Sequence, residues 1–326
     1  MSPELQLQAA EAEGAMLEAE EGAANPLVRS GVDRFGQRWA GHRFLVVGLA
    51  RSGMAAAQLL RQIGASVHVS ELRQTESTTA MAQALRRGGI ERIELGDHSQ
   101  DILEGCSGLV VSPGVPDTAG PVQWAREIGL PVISEIELAF RFCPSKIVAV
   151  TGTNGKSSVV TLIAQLQAAR RQPVVACGNI GIPFSGVVAD LTPETTVVAE
   201  VSSFQLMDCH TFRPEIGVLL NLGANHLDRH PDRRSYAQAK ARLFQCQAAE
   251  DVAVLNGADP LVAELAERVP SRRVWFGGRS DTQQTAANQP GAPALGHVTA
   301  LREVDGRLVA TVETVHQAVA AALRAG

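Results

Sequence analysis

The stretch VAVTGTNGKSSVVTLI, residues 148–163, constrains this chain more than any other. A short apolar run enters it, two glycines sit close together, and a lysine and two serines open a pattern of helical spacing. A strand running into Gly152, Thr153, Asn154, Gly155, Lys156, Ser157 and Ser158 and then into a helix is a phosphate cradle. Glycines let backbone N–H groups turn inward without a Cβ clash. The helix N-terminus adds partial positive charge. Lys156 can neutralise terminal phosphates, and a serine hydroxyl can ligate Mg2+. Only two residues separate Gly152 from Gly155, where the usual P-loop has four. The plainer alternative is a turn with an N-capping serine. The strand before it and the Gly-Lys-Ser triplet favour phosphate.

A metal-bound triphosphate needs further oxygen ligands. Glu200 closes the apolar run VVAE, at the end of a strand where open α/β sheets bind ligands, so it can share Mg2+ with Ser157. His226 and Asp228 follow the next strand in NLGANHLDRH. A histidine in such a loop is more often a surface hydrogen bonder than a ligand. Lys240, in the helical stretch SYAQAKARLF, reads by itself as a solvated lysine.

The rest of the chain alternates strand and helix. FLVV after Arg43, SVHV at 66–69, GLVV at 108–111 and LPVIS near 130 are strands, and MAAAQLLRQIG is a helix stopped by Gly64. KIVAV opens a second series, which continues through a helix with Val159, Ile163 and Leu166 on one face. TTVVAEV, IGVLLN, DVAVLN, RVWFG and a late RLVATV are its further strands. Strands alternating with helices predict parallel sheets covered on both faces. The expected fold class is α/β: a Rossmann-like N-terminal domain at 41–142 and a central P-loop-type ATP-binding domain at 143–326. Residues 1–40 are expected to form an acidic flexible tail, and the polar, Pro-containing stretch at 280–296 a surface loop.

Composition removes several classes. A formal net charge of -5 with no basic stripe argues against nucleic acid. No apolar run approaches the ~20 residues of a membrane span, and no secretory signal precedes the fold. Five scattered cysteines without a C-x-x-C pair indicate neither zinc nor a disulfide framework, and a reducing cytoplasm fits them.

Taken together, GTNGKSS, NIG at 179–181, EVSSFQL, NHLDRH and YAQAK resemble the Mur ligase family in kind and order. GLARSG, SPGVP and SEIELAF in the first unit are similar to the branch that adds D-glutamate to UDP-N-acetylmuramoyl-L-alanine. The resemblance covers about residues 42–280. It implies an ATP- and Mg2+-dependent ligase of cytoplasmic peptidoglycan precursor synthesis, working through an acyl phosphate as a monomer. It implies that Lys156 and the 152–155 backbone cradle ATP, that Ser157 and Glu200 hold one Mg2+, and that His226 binds a second. Lys240 would be carbamylated and stabilise that second ion. Asn179 and Ser202 would lie near the reacting carboxylate, and Gln205 would also bind substrate. Arg51 and Ser52 would lie by the substrate diphosphate, Glu71 and Arg73 by the uridine, and Ser112, Pro113 and Gly114 in the next loop.

One feature weighs against a dinucleotide site, and two depart from the family pattern. Ala50 stands where a dinucleotide fingerprint has glycine, which weakens an NAD oxidoreductase reading. Asn225 precedes His226 where the family has an acidic residue. His316 is followed by Gln317 where the family has His-Asn, and the sequence stops at Gly326. The resemblance therefore implies a form without the third domain and with little ligase activity by itself. The competing readings are another Mur-like ligase, a folylpolyglutamate synthase, and a non-catalytic UDP-sugar binder. The second of these lacks a matching first unit.

Overall fold

The computed structural model describes residues 24–223, 230, 232–277, 298–304, 307–312 and 319–320. His226, Asn225, Asp228, His316, Gln317, the 280–296 loop and residues 1–23 of the expected tail lie outside them. The described chain divides into two units. One contains the residues up to Pro144 together with Cys177–Pro193, the other Ser145–Ala176 and the residues from Glu194 onward.

In the first unit the order is α1 (Pro26–Ser30), β1 (Arg43–Val47), α2 (Arg51–Gln62), β2 (Ser66–Glu71), α3 (Glu76–Arg87), β3 (Ile93–Leu95), β4 (Gly108–Val111), α4 (Gly120–Glu127), β5 (Val132–Ser134) and α5 (Glu135–Arg141). The strands form one parallel sheet in the order β3-β2-β1-β4-β5. Chain direction across the sheet therefore reverses between β1 and β4. Their short apolar runs are buried on both faces, as parallel strands between helical layers require. Leu45, Val47, Leu109, Val111 and Val132 meet Ile102 and Val122 in the core.

Residues 24–40 correct the expectation of a tail reaching to residue 40. Asn25 is fully buried. Its Nδ2 donates to Phe142 O at 2.7 Å and Val188 O at 2.9 Å, and its Oδ1 caps α1 through Leu27 N. Trp39 stacks on Phe44 at 4.5 Å and donates its indole N–H to Asp33. An aromatic stacked at that range contributes beyond its buried area. The low-complexity start of the sequence masked these anchors.

The second correction concerns Cys177–Pro193, which the sequence assigns with everything after 143. This segment packs with the first unit. Phe184 and Val188 are fully buried there, and Ser185 N donates to the Glu135 carboxylate at 2.5 Å. Burial of two large apolar side chains is worth several kcal/mol, of order 2 each, which outweighs the plain order of the chain.

In the second unit, β6 (Lys146–Thr151), α6 (Lys156–Ala169), β7 (Val174–Gly178), β8 (Thr196–Glu200), α7 (Ser203–Met207), β9 (Ile216–Leu219), α8 (Arg233–Ala241), β10 (Val252–Asn256), α9 (Pro260–Ala266), β11 (Arg272–Phe276), β12 (Val298–Val304) and β13 (Arg307–Val312) follow one another. The sheet order is β12-β13-β11-β10-β9-β6-β8-β7. The β6, β8, β9, β10, β11 and β13 pairings are parallel, and β12 joins β13 antiparallel. The buried face of α6 is Val160, Ile163 and Gln167, not Val159, Ile163 and Leu166; Leu166 is exposed. Apolar residues surround this helix closely enough that two stripes of the same spacing compete.

Candidate functional site

Each unit carries its own site at the C-terminal ends of its parallel strands. In the second unit β6 delivers the chain into the glycine loop. Gly152 has φ 155° and Gly155 φ 83°. A Cβ on Gly152 would come within 2.9 Å of Leu220 Cβ, so the loop packs against the end of β9 as only glycine allows. Asn221 holds the loop in shape. Its Oδ1 accepts from Thr153 N at 3.0 Å and Asn154 N at 2.9 Å, and its Nδ2 donates to Asn154 O at 3.1 Å. The Thr153 hydroxyl accepts from Gly223 N at 2.8 Å and pairs with the Tyr236 hydroxyl at 3.2 Å.

Gly155 caps α6 without a side-chain bond, and the first turn of that 14-residue helix holds no acidic residue. Most other described helices are closed by a side-chain oxygen: Asn25, Thr75, Ser134, Ser202, Asp232 and Asp259. The uncapped N-termini are those of α2, α4 and α6. Orphan N–H groups at a helix start attract anions.

Ser157 and Glu200 meet as expected. The hydroxyl donates to Glu200 Oε2 at 2.7 Å, and Glu200 is buried at the end of β8. Lys156 lies over the loop, its Nζ donating to Gly152 O and Thr153 O at 3.0 Å each. Ser158 is exposed on the first turn of α6.

Lys240 overturns its plain reading as a solvated lysine: it is 2% exposed. Its Nζ donates to Thr151 Oγ1 at 3.2 Å and Gly152 O at 3.0 Å and lies 4.8 Å from the centre of the Tyr236 ring. Burial, reinforced by the nearby Lys156 charge and opposed by Glu200, lowers its pKa to about 7. Much of this amine is therefore neutral near neutrality. Ser202 and Gln205 form a capping box on α7. The Gln205 carbonyl accepts from Ser202 N and Oγ at 2.9 Å, and its buried Nε2 has no partner among the described residues.

In the first unit, the strand ends surround a cavity of about 720 Å³. Arg51, Ser52, Glu71, Arg73, Ser112, Pro113, Gly114 and Asn179, all named from the sequence, line this one cavity. Asn179 reaches it because Cys177–Pro193 packs with this unit. Arg51 opens α2 and donates to Gly181 O at 3.1 Å. Ser112 Oγ donates to Gly48 O at 2.8 Å, and Gly48 has φ 90°. Glu71 Oε2 accepts from Leu49 N at 2.7 Å and Oε1 from Arg73 N at 2.8 Å. Burial alone would raise its pKa, but these backbone N–H groups outweigh that and hold it below the usual value.

Sequence reasoning missed Asn221, Tyr236 and His98. Asn221 and His98 each follow a strand end, which is the available signal. Tyr236 sits one helical turn before Lys240, on the same face.

Residues 42–134 match the Mur ligase MurD-like N-terminal domain, and residues 150–297 match the Mur ligase middle domain. The chain belongs to the Mur ligase family. It is 42% identical over 242 residues to a UDP-N-acetylmuramoylalanine–D-glutamate ligase of Pelotomaculum thermopropionicum, covering 74% of this chain and 53% of that relative. A ligase of the same name from Acidobacterium capsulatum is 39% identical over 295 residues, covering 88% and 64% respectively. The chain thus spans between about half and two thirds of the length of these relatives. Among solved structures, a UDP-N-acetylmuramate:L-alanyl-gamma-D-glutamyl-meso-diaminopimelate ligase from Neisseria meningitidis is similar in fold. Its TM-score is 0.50 at 17% identity, over 73% of this chain and 79% of that one. Among the described residues, the Mur ligase motifs lie at or after strand ends of the two units.

Proposed function

We propose that this chain provides the nucleotide-sugar site and the ATP site of a ligase that joins D-glutamate to UDP-N-acetylmuramoyl-L-alanine in peptidoglycan precursor synthesis. The first-unit cavity takes the UDP end of the substrate, with Arg51, Ser52 and the open start of α2 at the diphosphate. The Gly152–Ser158 loop takes ATP. The observation that carries the chemistry is the Ser157–Glu200 bond together with the buried Lys240 of α8, of pKa about 7, which donates to Gly152 O of the same loop.

A carboxylate is a poor electrophile. Transfer of the γ-phosphoryl of ATP to the carboxylate of the L-alanyl unit gives an acyl phosphate, with ADP leaving. The amino group of D-glutamate then displaces phosphate and forms the amide. The protein's task is to bring two anions together and neutralise them. Lys156 and the loop N–H groups serve the phosphates. Ser157 and Glu200 are hard oxygen donors in contact, the kind of partial ligand set that Mg2+ accepts alongside phosphate oxygens. Mg2+ supplies charge neutralisation when bound. His226 is assigned to a second ion together with Lys240. The neutral Nζ of Lys240 adds to dissolved CO2 and loses a proton, leaving a carbamate. By the family resemblance, Asn179 of the first unit and Ser202 and Gln205 of the second are each assigned to the substrate. The net charge of -5 without a basic stripe counts against a nucleic-acid partner, and a cytoplasmic monomer acting on small molecules is what the family resemblance implies.

The test follows oxygen. Substrate labelled with heavy oxygen in its carboxylate is incubated with ATP, Mg2+ and D-glutamate. The expected product, formed slowly by this chain alone, is inorganic phosphate carrying one labelled oxygen. Phosphate that is unlabelled, or released equally well without the UDP substrate, contradicts the proposal. Ser157→Ala and Glu200→Gln are expected to lower labelled-phosphate release by roughly two orders of magnitude.

A further inference from the structure

The first-unit cavity contains a histidine that the reading above does not use. His98 lies in the loop after β3 and lines the cavity together with Glu71, Leu72 and Arg73. Its Nδ1 is hydrogen-bonded to Ser70 Oγ at 2.6 Å, and Ser70 is fully buried in β2. The backbone on either side is fixed as well. His98 N donates to Asp97 Oδ1 at 2.7 Å, Ser99 N to Glu94 Oε2 at 3.0 Å, and Gly96 N to Glu71 O at 2.9 Å. The ring is therefore oriented through one nitrogen, while Nε2 has no protein partner among the described residues. A half-buried imidazole held by one edge has its other edge available for a ligand.

The place of His98 in the sheet says which part of a ligand it meets. The strand order is β3-β2-β1-β4-β5. The open start of α2 and the Gly48–Gly53 turn follow β1, at the point where chain direction reverses, and this is where a diphosphate belongs. Glu71 ends β2 and Arg73 follows it, one strand outward, and His98 follows β3, one strand further. Leu72 lines the same wall and is 59% exposed. An exposed leucine beside an oriented imidazole offers an apolar face and a hydrogen-bonding edge together. A flat heterocycle with carbonyl groups on its rim matches that pair, and a phosphate does not.

We infer that His98 is a base-binding residue of this cavity, hydrogen-bonding through Nε2 to a rim carbonyl of a pyrimidine nucleotide whose face rests on Leu72. The inference rests on the reading of the cavity as a UDP site and adds the group that recognises the nucleoside. In the tautomer with its proton on Nε2, Nδ1 accepts from the Ser70 hydroxyl and Nε2 donates to the base.

Calorimetric titration of the full chain with UDP and with inorganic pyrophosphate tests it. His98→Asn keeps a polar atom near Nδ1 for Ser70 but lacks Nε2. It is expected to weaken UDP binding about fivefold, the worth of one hydrogen bond, and to leave pyrophosphate binding unchanged. His98→Gln, which carries a donor near the Nε2 position, is expected to recover part of the loss. Ser70→Ala, which frees the ring, is expected to weaken UDP binding by less, with no further loss when combined with His98→Asn. The ligand-free melting temperature is expected to be the same in all variants. Unchanged UDP affinity in His98→Asn overturns the inference, as does an equal loss for UDP and pyrophosphate. A parent chain that binds neither UDP nor pyrophosphate contradicts instead the reading of the cavity as a nucleotide-sugar site.

Discussion

Two buried ionisable side chains set the behaviour of this protein near neutral pH. Glu135 is fully buried, with Oε1 accepting from Ser185 N and Oε2 without a partner among the described residues. Burial, opposed by the Ser185 bonds, raises its pKa from 4.5 to about 7. Between those values the folded state keeps a proton that the unfolded chain has lost. Stability from this group is full below 4.5 and is lost as pH rises through about 7. Lys240 acts in the adjoining window. Its pKa falls from 10.5 to about 7, so the unfolded chain holds a proton there that the folded state lacks. Stability from this group is present above 10.5 and is lost as pH falls to about 7. Together the two are expected to give a shallow minimum of stability near neutrality, of order a few kcal/mol deep. Denaturant midpoints measured across pH check this. Glu135→Gln is expected to flatten the acid limb and Lys240→Met the alkaline limb; a dip that survives both substitutions contradicts the assignment. Neither behaviour was legible from residue type. A lysine in a polar helix reads as solvated, and a glutamate at a helix start reads as a favourable end charge. Both are decided by the groups that fold on top of them.

Elements were easier to read than the residues they place. Runs such as VVAE and KIVAV became strands because apolar side chains on both faces can be buried only between two helical layers. The strands β3, Ile93-Glu94-Leu95, and β7, VVACG, are not legible because runs of three to five residues are too short to show a period. The glycine loop was legible because its geometry admits few residues. Gly152→Ala is expected to destabilise the second unit by roughly 2 kcal/mol or more, since the new Cβ meets Leu220 and the backbone is strained. It is also expected to reduce affinity for an ATP analogue, whereas Gly114→Ala, whose Cβ meets nothing within 4 Å, is expected to leave stability unchanged. Thermal melts with and without the analogue read both effects. A Gly152→Ala chain as stable as its parent would show that the approach of β9 to the loop is not needed.

At the scale of the whole molecule, chain order and spatial grouping part company at Cys177–Pro193. The family resemblance assigns Asn179 to the substrate; in the structure its segment leaves β7 and packs with the first unit, where Asn179, Gly181 and Pro183 line the cavity. Asn25 ties the start of the described chain to this segment and to the end of α5. Asn25→Ala removes two buried hydrogen bonds and a helix cap and leaves carbonyls unpaired. It is expected to cost about 3 kcal/mol and to weaken UDP binding through a loosened cavity wall. A variant with the parent's melting temperature would refute the tie. No periodicity announced it, because a single asparagine acts by two side-chain bonds to distant backbone and one to its own helix.

The central claim is that the chain carries two separate sites, one for a nucleotide sugar and one for ATP. The most direct measurement is paired calorimetry of the parent and two variants, Arg51→Ala and Lys156→Ala, with UDP-N-acetylmuramoyl-L-alanine and with a non-hydrolysable ATP analogue plus Mg2+. The account predicts that the parent binds both ligands, that Arg51→Ala loses at least tenfold only for the UDP substrate, and that Lys156→Ala does so only for the ATP analogue. A parent that binds neither ligand, or variants that lose both together while remaining folded, would contradict it.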